Sequence, residues 1–219
     1  GIELRDDQPT MLLYKAAGAE VTPQSDSIWR VKFPPGMLRE ILKTAPEVFT
    51  QHARNPLHNV VIGGNNTVFA PNYGSPFVHD LDNGRRYATI TDFQNFVKLA
   101  YMSPWLHHSG GTVCEPTDIP VNKRHLDMVY AHIKHSGKPF MGSVTAPERA
   151  EDSIEMCRLL FGADFVDKNC VILGNINTNS PLIFDGVMSQ GLRAYARANQ
   201  AAVVVPFILG GAMGPVTTA

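Results

Sequence analysis

Four short apolar runs recur at a nearly constant interval in the second half of this 219-residue sequence. They begin at His108, Pro139, Cys170 and Val203, and are therefore 31, 31 and 33 residues apart. Amphipathic helical patterns fill the gaps, over residues 122–135, 147–161 and 188–198. Parallel strands need a crossover connection, which is most often a helix. The repeat therefore predicts four βα units in series.

The interval also indicates which parallel fold to expect. A (β/α)8 TIM barrel of about 250 residues has about 31 residues per unit. Four units cannot close such a barrel, so we predict that residues 106–219 are the first half of a barrel in a longer enzyme. A small open sheet is the alternative. Half a barrel has two unpaired strand edges, and such edges favour association, so we expect a homo-oligomer.

Residues 1–105 have a different pattern and are predicted to be an α+β N-terminal extension. Short alternating or apolar runs separated by Pro and Gly turns indicate a small antiparallel sheet; they are Trp29–Phe33, Phe49–Arg54, Val60–Ile62 and Val68–Ala70. Residues 70–86 (APNYGSPFVHDLDNGRR) contain so many turn residues that we expect a loop without regular structure. Its aromatic residues are costly to expose, so we expect the loop to fold over the barrel mouth.

Polar residues follow the third apolar run, Cys170–Leu173, in the sequence GNINTNSP. Amides clustered at a strand end are costly to bury unless they bond to each other or to a ligand. Ligands of parallel α/β proteins bind at the carboxyl ends of the strands. The segment therefore predicts one wall of a small-molecule site. A polar turn that only caps the next helix is the alternative.

Composition excludes several classes of partner. The 19 basic and 20 acidic residues nearly cancel, and no basic stripe is present, so we expect no nucleic acid and no membrane partner. The longest apolar run, Ala201–Met213, is too short to span a bilayer. Three widely spaced cysteines match neither a disulfide framework nor a zinc pattern, so we expect a cytoplasmic protein without a metal site.

No obvious acid, base or nucleophile is present at the strand ends. Glu115 is the only carboxylate there, which argues against a glycosidase with two carboxylates. Cys114 has no His–Asp pair that the sequence would place beside it. Neither a G-x-G-x-x-G nor a Walker sequence occurs, so nothing indicates a dinucleotide or ATP.

Several long strings of residues resemble the trimethylamine methyltransferase superfamily, the corrinoid-dependent enzymes that include trimethylamine and glycine betaine members. These strings occur in the family's order and cover almost the whole chain: residues 17–46, 52–64 (HARNPLHNVVIGG), 70–86, 174–182 (GNINTNSPL) and 206–217 (PFILGGAMGPVT). The resemblance implies a (β/α)8 barrel whose mouth binds a methylated amine. It also implies a separate corrinoid protein whose Co(I) accepts the methyl group, and no cofactor bound tightly by this chain.

The resemblance further implies roles for individual residues. Asn72 and either Asn175 or Asn177 would donate hydrogen bonds to a substrate carboxylate. Tyr73 would offer an aromatic face to the ammonium, and Glu115 would also face the cation. Glycine recurs at all four strand ends, where it would let a broad corrin ring approach; the predicted corrinoid-facing residues are Gly110, Gly111, Gly142, Ser143, Gly210 and Gly211.

The resemblance implies that members with an encoded pyrrolysine act on trimethylamine and that members without it act on quaternary amines; the pyrrolysine position would lie beyond residue 219. Nothing in this sequence indicates pyrrolysine, so we predict a quaternary amine such as glycine betaine, with trimethylamine as the alternative substrate. Two other hypotheses stay open. One is a different barrel enzyme, such as an aldolase or lyase, which would need a lysine that none of the four strand ends has. The other is a non-enzymatic half-barrel that binds a partner or assembles in pairs.

Overall fold

The computed structural model describes residues 1–180 and 182–205, in which α-helices combine with parallel and antiparallel sheets. The first half contains, in order, β1 (Ile2–Arg5), α1 (Gln8–Ala16), β2 (Glu20–Ser25), β3 (Ile28–Lys32), α2 (Met37–Leu42), β4 (Val48–Gln51), β5 (Val60–Gly63), β6 (Phe77–Asp80), β7 (Gly84–Tyr87) and α3 (Ile90–Met102). The second half contains α4 (Arg124–His135), β8 (Phe140–Gly142), α5 (Pro147–Phe161), α6 (Ala163–Lys168), β9 (Ile172–Asn177), β10 (Ile183–Phe184), α7 (Gly186–Arg197) and β11 (Ala201–Val205).

The predicted parallel sheet is present, with β9 in the centre between β8 and β11. Both pairings are parallel, and Gly174 of β9 lies opposite Gly142 on one side and Ala202 on the other. Helices α5 and α6 connect β8 to β9, and α7 precedes β11. The carboxyl ends of the three strands therefore lie at one edge of the sheet.

The first predicted strand, near His108, is not a regular strand, and in this the prediction was wrong. The segment does lie beside β8: the Ser109 amide donates to the Pro139 carbonyl (2.8 Å), and the Met141 amide donates to the Gly110 carbonyl (2.9 Å). Gly110 has a φ of +85°, which an extended strand cannot contain. That residue interrupts the ladder, so this sheet has three parallel strands with one segment aligned beside β8, and the described residues form no closed barrel.

The helix-facing side of the sheet packs around a fully buried tyrosine of α7. The Tyr195 ring lies against Ile172 and Ile176 of β9 in the main core cluster, and its hydroxyl donates to the Ser143 carbonyl (2.8 Å). A β-carbon at Gly174 would lie 2.5 Å from this ring. Glycine at this position is therefore required for the tyrosine to pack.

Antiparallel pairing is present in the N-terminal region, as predicted, but in more than one sheet: the predicted strand at Trp29–Phe33 (β3) pairs with β1 and β2, whereas β4 pairs with β5. One strand from the second half of the chain extends the β1–β3–β2 sheet. Strands β1, β3 and β2 pair antiparallel, and β10 joins β1 in parallel. Leu4 and Val31 are fully buried between this sheet and α1. Val68–Ala70 was wrongly predicted as a strand; the Phe69 carbonyl instead accepts hydrogen bonds from the amides of His107 and His108.

The segment of residues 70–86 is not wholly irregular, which corrects the second prediction for this region. Its turn residues form the tip of the β6–β7 hairpin, where the Asp80 carboxylate accepts hydrogen bonds from the amides of Asp82 (3.0 Å) and Asn83 (2.7 Å). Gly84 follows with a φ of +63°.

None of the helices in the described ranges has the length and hydrophobicity that a bilayer-spanning segment requires.

We predict that Gly174→Ala destabilises the protein by about 1–3 kcal/mol, because the added methyl group would overlap the Tyr195 ring. Gly191→Ala in α7 is the matched control, since its β-carbon would meet no atom closer than 3.4 Å. Chemical denaturation of both variants measures the difference. Equal unfolding free energies for the two variants would contradict this account of the core.

Candidate functional site

A cavity of about 220 Å³ lies at the carboxyl end of β8, between α4 and α5. Four of the predicted site residues line it: Gly111, Glu115, Gly142 and Ser143. Helices α4 and α5 contribute further lining side chains, among them Arg124, Met128, His132 and Arg149. The cavity thus combines an apolar wall with a few charged groups, as small-ligand sites do.

Glu115 is held in place by an arginine of α4. One guanidinium nitrogen of Arg124 forms an ion pair with Glu115 Oε1, and two others donate to the Ile119 carbonyl (3.1 and 2.9 Å). The Arg124 side chain is 14% exposed and that of Glu115 is 37% exposed. Arg124 therefore fixes the carboxylate at the cavity wall and compensates its charge.

The loop that carries Asn72 and Tyr73 lies against the segment that carries Glu115. The Gly74 amide donates to the Thr112 carbonyl (2.7 Å), and the Glu115 amide donates to the Ser75 carbonyl (2.9 Å). Asn72 and Tyr73 line a neighbouring cleft rather than the cavity; its wall also includes Phe77, Phe96 and Cys114. Asn72 Oδ1 accepts a hydrogen bond from the Tyr73 amide (3.1 Å).

Asn175 and Asn177 lie within β9, whereas the sequence placed them after the strand. Side chains alternate along a strand, so these amides lie on the face opposite Ile172 and Ile176, which pack against the helices. Asn175 Oδ1 is buried and has no hydrogen-bond partner in the described part of the chain. None of the cavity or cleft linings described above includes Asn175 or Asn177. Gly210 and Gly211 lie outside the described residues.

The three described glycines of the predicted corrinoid-facing set, Gly110, Gly111 and Gly142, lie close to side chains of the chain itself. An added β-carbon would lie 2.8 Å from Pro71 at Gly110 and 3.2 Å from Met141 at Gly111. At Gly142 it would overlap Tyr195. These three glycines therefore make room for neighbouring side chains, and a corrinoid-facing role for them stays a prediction. Recurrence of glycine in sequence cannot distinguish the two uses.

Two buried histidines hold the segment that leads into the cavity, and sequence reasoning assigned neither of them a role. His108 Nδ1 accepts from the Gly110 amide (2.9 Å), so its Nε2–H donates to Gln51 Oε1 (3.1 Å). The Nε2–H of His132 donates to the Gly111 carbonyl (2.8 Å), and its Nδ1 accepts from the Ser109 hydroxyl (2.7 Å).

Both histidines are neutral because they are buried. Burial lowers the pKa of His108 to about 3, with a smaller contribution from His132, and lowers the pKa of His132 to about 4. All four ring nitrogens are used in the hydrogen bonds given above, so neither ring is free to take a proton from a ligand. Their role is to fix residues 109–111 at the cavity wall.

Cys114 is not a nucleophile in this environment. Burial raises the pKa of its thiol to about 12, and the negative charges of Asp92 and Glu115 add to the shift. The reactive form of cysteine is the thiolate, which is therefore scarce at neutral pH. Within residues 1–180 and 182–205, no three His, Cys, Asp or Glu side chains are placed to hold a metal ion.

These features define an α/β protein with a small-ligand cavity at the carboxyl edge of a parallel sheet. Comparison with known proteins assigns its family. The model of the trimethylamine methyltransferase (MTTB) family matches residues 1–219, and the chain belongs to that family. It is 44% identical over 220 residues to a glycine betaine methyltransferase of Desulfitobacterium hafniense (strain Y51). The alignment includes 100% of this chain and 45% of that relative, so the chain spans about half its length.

We predict that the protein loses stability as the pH falls from 6.5 towards 4. The unfolded histidines have a pKa near 6.5, whereas the native ones have values of about 3 and 4. Below pH 6.5 the unfolded chain therefore binds protons that the native chain does not. Each histidine contributes at most about 1.4 kcal/mol per pH unit to the loss.

Chemical denaturation between pH 7 and pH 4.5 measures this dependence. His132→Gln keeps a donor for the Gly111 carbonyl and should flatten the pH dependence, although it lowers stability at pH 7. His79→Gln, on the exposed face of the β6–β7 hairpin, is the control. A pH dependence in His132→Gln as steep as in the parent protein would contradict the assignment.

Proposed function

We propose that the full-length protein containing this chain transfers a methyl group from a quaternary amine, such as glycine betaine, to the Co(I) of a separate corrinoid protein. The observation that carries the proposal is the identity of 44%, over the whole chain, with a glycine betaine methyltransferase. The fold is compatible with it: three parallel strands and an aligned segment end at one edge, as in the first half of a (β/α)8 barrel.

In this proposal, the residues of this chain bind and orient the amine. The partner's corrinoid would supply the nucleophile, so the proposed reaction requires no nucleophilic side chain from this cavity. Glu115 attracts the cationic ammonium, and Arg124 holds the carboxylate in the required position. Met128 and Met141 provide a soft, polarizable wall for the methyl groups. Orientation of a bound substrate can by itself lower a barrier substantially.

Tyr73, Asn72, Asn175 and Asn177 remain predicted substrate contacts from the family resemblance. Tyr73 is 37% exposed in a cleft with two other aromatic rings, which would suit a methylated ammonium. The cavity is favoured as the primary site because Glu115, Gly111 and Ser143 converge on it. The neighbouring cleft contains no carboxylate among its lining residues.

Nothing in residues 1–180 and 182–205 favours an aldolase or lyase. Lys138 lies directly before β8, at the amino end of the sheet and away from the cavity. Its ammonium donates to the carbonyls of Ala100 and Ser103 (both 2.8 Å) at the end of α3. Lys138 therefore caps a helix and is not placed to form a Schiff base with a ligand in the cavity.

The full-length enzyme, mixed with reduced corrinoid protein, should demethylate glycine betaine and not trimethylamine. A quaternary nitrogen is already cationic and is the better leaving group. Chromatographic detection of the demethylated amine, with carnitine as a third substrate, measures the preference. Turnover of trimethylamine alone would contradict the proposed substrate class.

Glu115→Gln should raise KM for glycine betaine roughly threefold to tenfold, because the partly exposed carboxylate attracts the ammonium. Glu148→Gln is the control, since this exposed acid at the start of α5 does not line the cavity. Steady-state kinetics at saturating corrinoid protein gives KM for both variants. An unchanged KM in Glu115→Gln, together with a normal melting temperature, would count against a role in substrate binding.

A further inference from the structure

The cavity contains one arginine whose charge no carboxylate of the described chain compensates. Arg124 is paired with Glu115, as described above. The guanidinium of Arg149 donates to Thr145 Oγ1 (2.9 Å), and in the described residues no carboxylate lies within 4.0 Å of it. Asp152 does not line the cavity, but His125 does, and it is hydrogen-bonded to the Asp152 carboxylate (2.8 Å). Among the lining Arg and Glu side chains, which are Glu115, Arg124 and Arg149, positive charges exceed negative charges by one.

Arg149 lies at a position in its helix where a positive charge is unfavourable. It lies in the first turn of α5, two residues after Pro147, at the positive end of the helix dipole. A cation at that end of a helix is destabilising by about 0.3–1 kcal/mol. Glu148 in the same turn offsets part of this cost, and an anionic ligand bound by the guanidinium would offset it further.

The size and walls of the cavity limit which anion can bind. A volume of 220 Å³ has room for about seven water molecules, which is smaller than pockets for drug-sized ligands. Val121, Met128, Val129 and Met141 form an apolar wall. A small molecule with one charged end and one methylated or aliphatic end matches this surface, whereas a nucleotide would be too large.

We propose that Arg149 binds the carboxylate of the substrate and so selects amino-acid-derived betaines over methylamines that have no carboxylate. This inference rests on the proposed function. The planar guanidinium can bind a carboxylate through two parallel hydrogen bonds. The hydroxyls of Ser143 and Thr145, 3.3 Å apart, lie beside it as further donors. The opposite end of the ligand then lies towards Glu115.

Isothermal titration calorimetry with the full-length enzyme tests the proposal with three ligands. Glycine betaine has both charges, choline has only the ammonium, and 3,3-dimethylbutanoate has only the carboxylate. Arg149→Gln should weaken binding of glycine betaine about tenfold to hundredfold, weaken 3,3-dimethylbutanoate similarly, and leave choline unchanged. Arg149→Lys keeps the positive charge but cannot form two parallel hydrogen bonds, so its affinity for glycine betaine should fall several-fold. This variant tests the proposal if the glutamine variant does not fold.

Arg158→Gln is the matched control, because this arginine of α5 is paired with Asp167 and does not line the cavity. Asn177→Ala tests the alternative, in which Asn177 of β9 donates the hydrogen bond to the substrate carboxylate. Unchanged affinity for glycine betaine in Arg149→Gln, an equal loss for choline, or a larger loss in Asn177→Ala would overturn the proposal. If the parent enzyme neither binds nor demethylates any betaine, the proposed function itself is wrong, and the two failures are thus distinguishable.

Discussion

The buried amide of Gln51 connects the N-terminal region to the parallel sheet. Its side-chain nitrogen, Nε2, donates to the carbonyls of Phe140 (3.0 Å) and Val171 (3.4 Å), and its Oε1 accepts a hydrogen bond from His108. One side chain thus satisfies backbone groups of β8 and of the residue before β9, together with the irregular segment beside them. Buried polar groups without partners are costly, so these elements depend on one another. Gln51 therefore joins the amino ends of β8 and β9 to the segment that contains His108.

The periodicity of the sequence was sufficient to predict the parallel sheet and the helices α4, α5 and α7. It failed where one residue changed the local geometry. Gly110 contributes to an apolar run that resembles a strand, yet its positive φ interrupts the ladder. The turn residues from Asp80 to Gly84 suggested an irregular loop, although they connect two short strands. A pattern averaged over several residues does not contain such single-residue effects.

Ligands of parallel α/β proteins bind at the carboxyl ends of the strands, and this expectation identified the residues that follow the strands but not the charged residues of the helices. Glu115 and Ser143 follow the ends of the first two units, where ligands of parallel folds bind. Arg124 and Arg149 lie in helices, where a charged residue ordinarily indicates a solvent-exposed face. Only the packing of α4 against α5 places both guanidinium groups at the same cavity. The sequence therefore indicated Glu115 but neither of the two arginines that give the cavity its positive charge.

We propose that a methylated amino acid binds at the carboxyl edge of β8, between α4 and α5. A crystal structure of the full-length enzyme with bound glycine betaine would locate the ligand. We expect ligand density inside this cavity, with the carboxylate beside Arg149 and the trimethylammonium group towards Glu115. Density on the Asn175 and Asn177 face of β9 or in the Tyr73 cleft, with the cavity free of ligand, would contradict it.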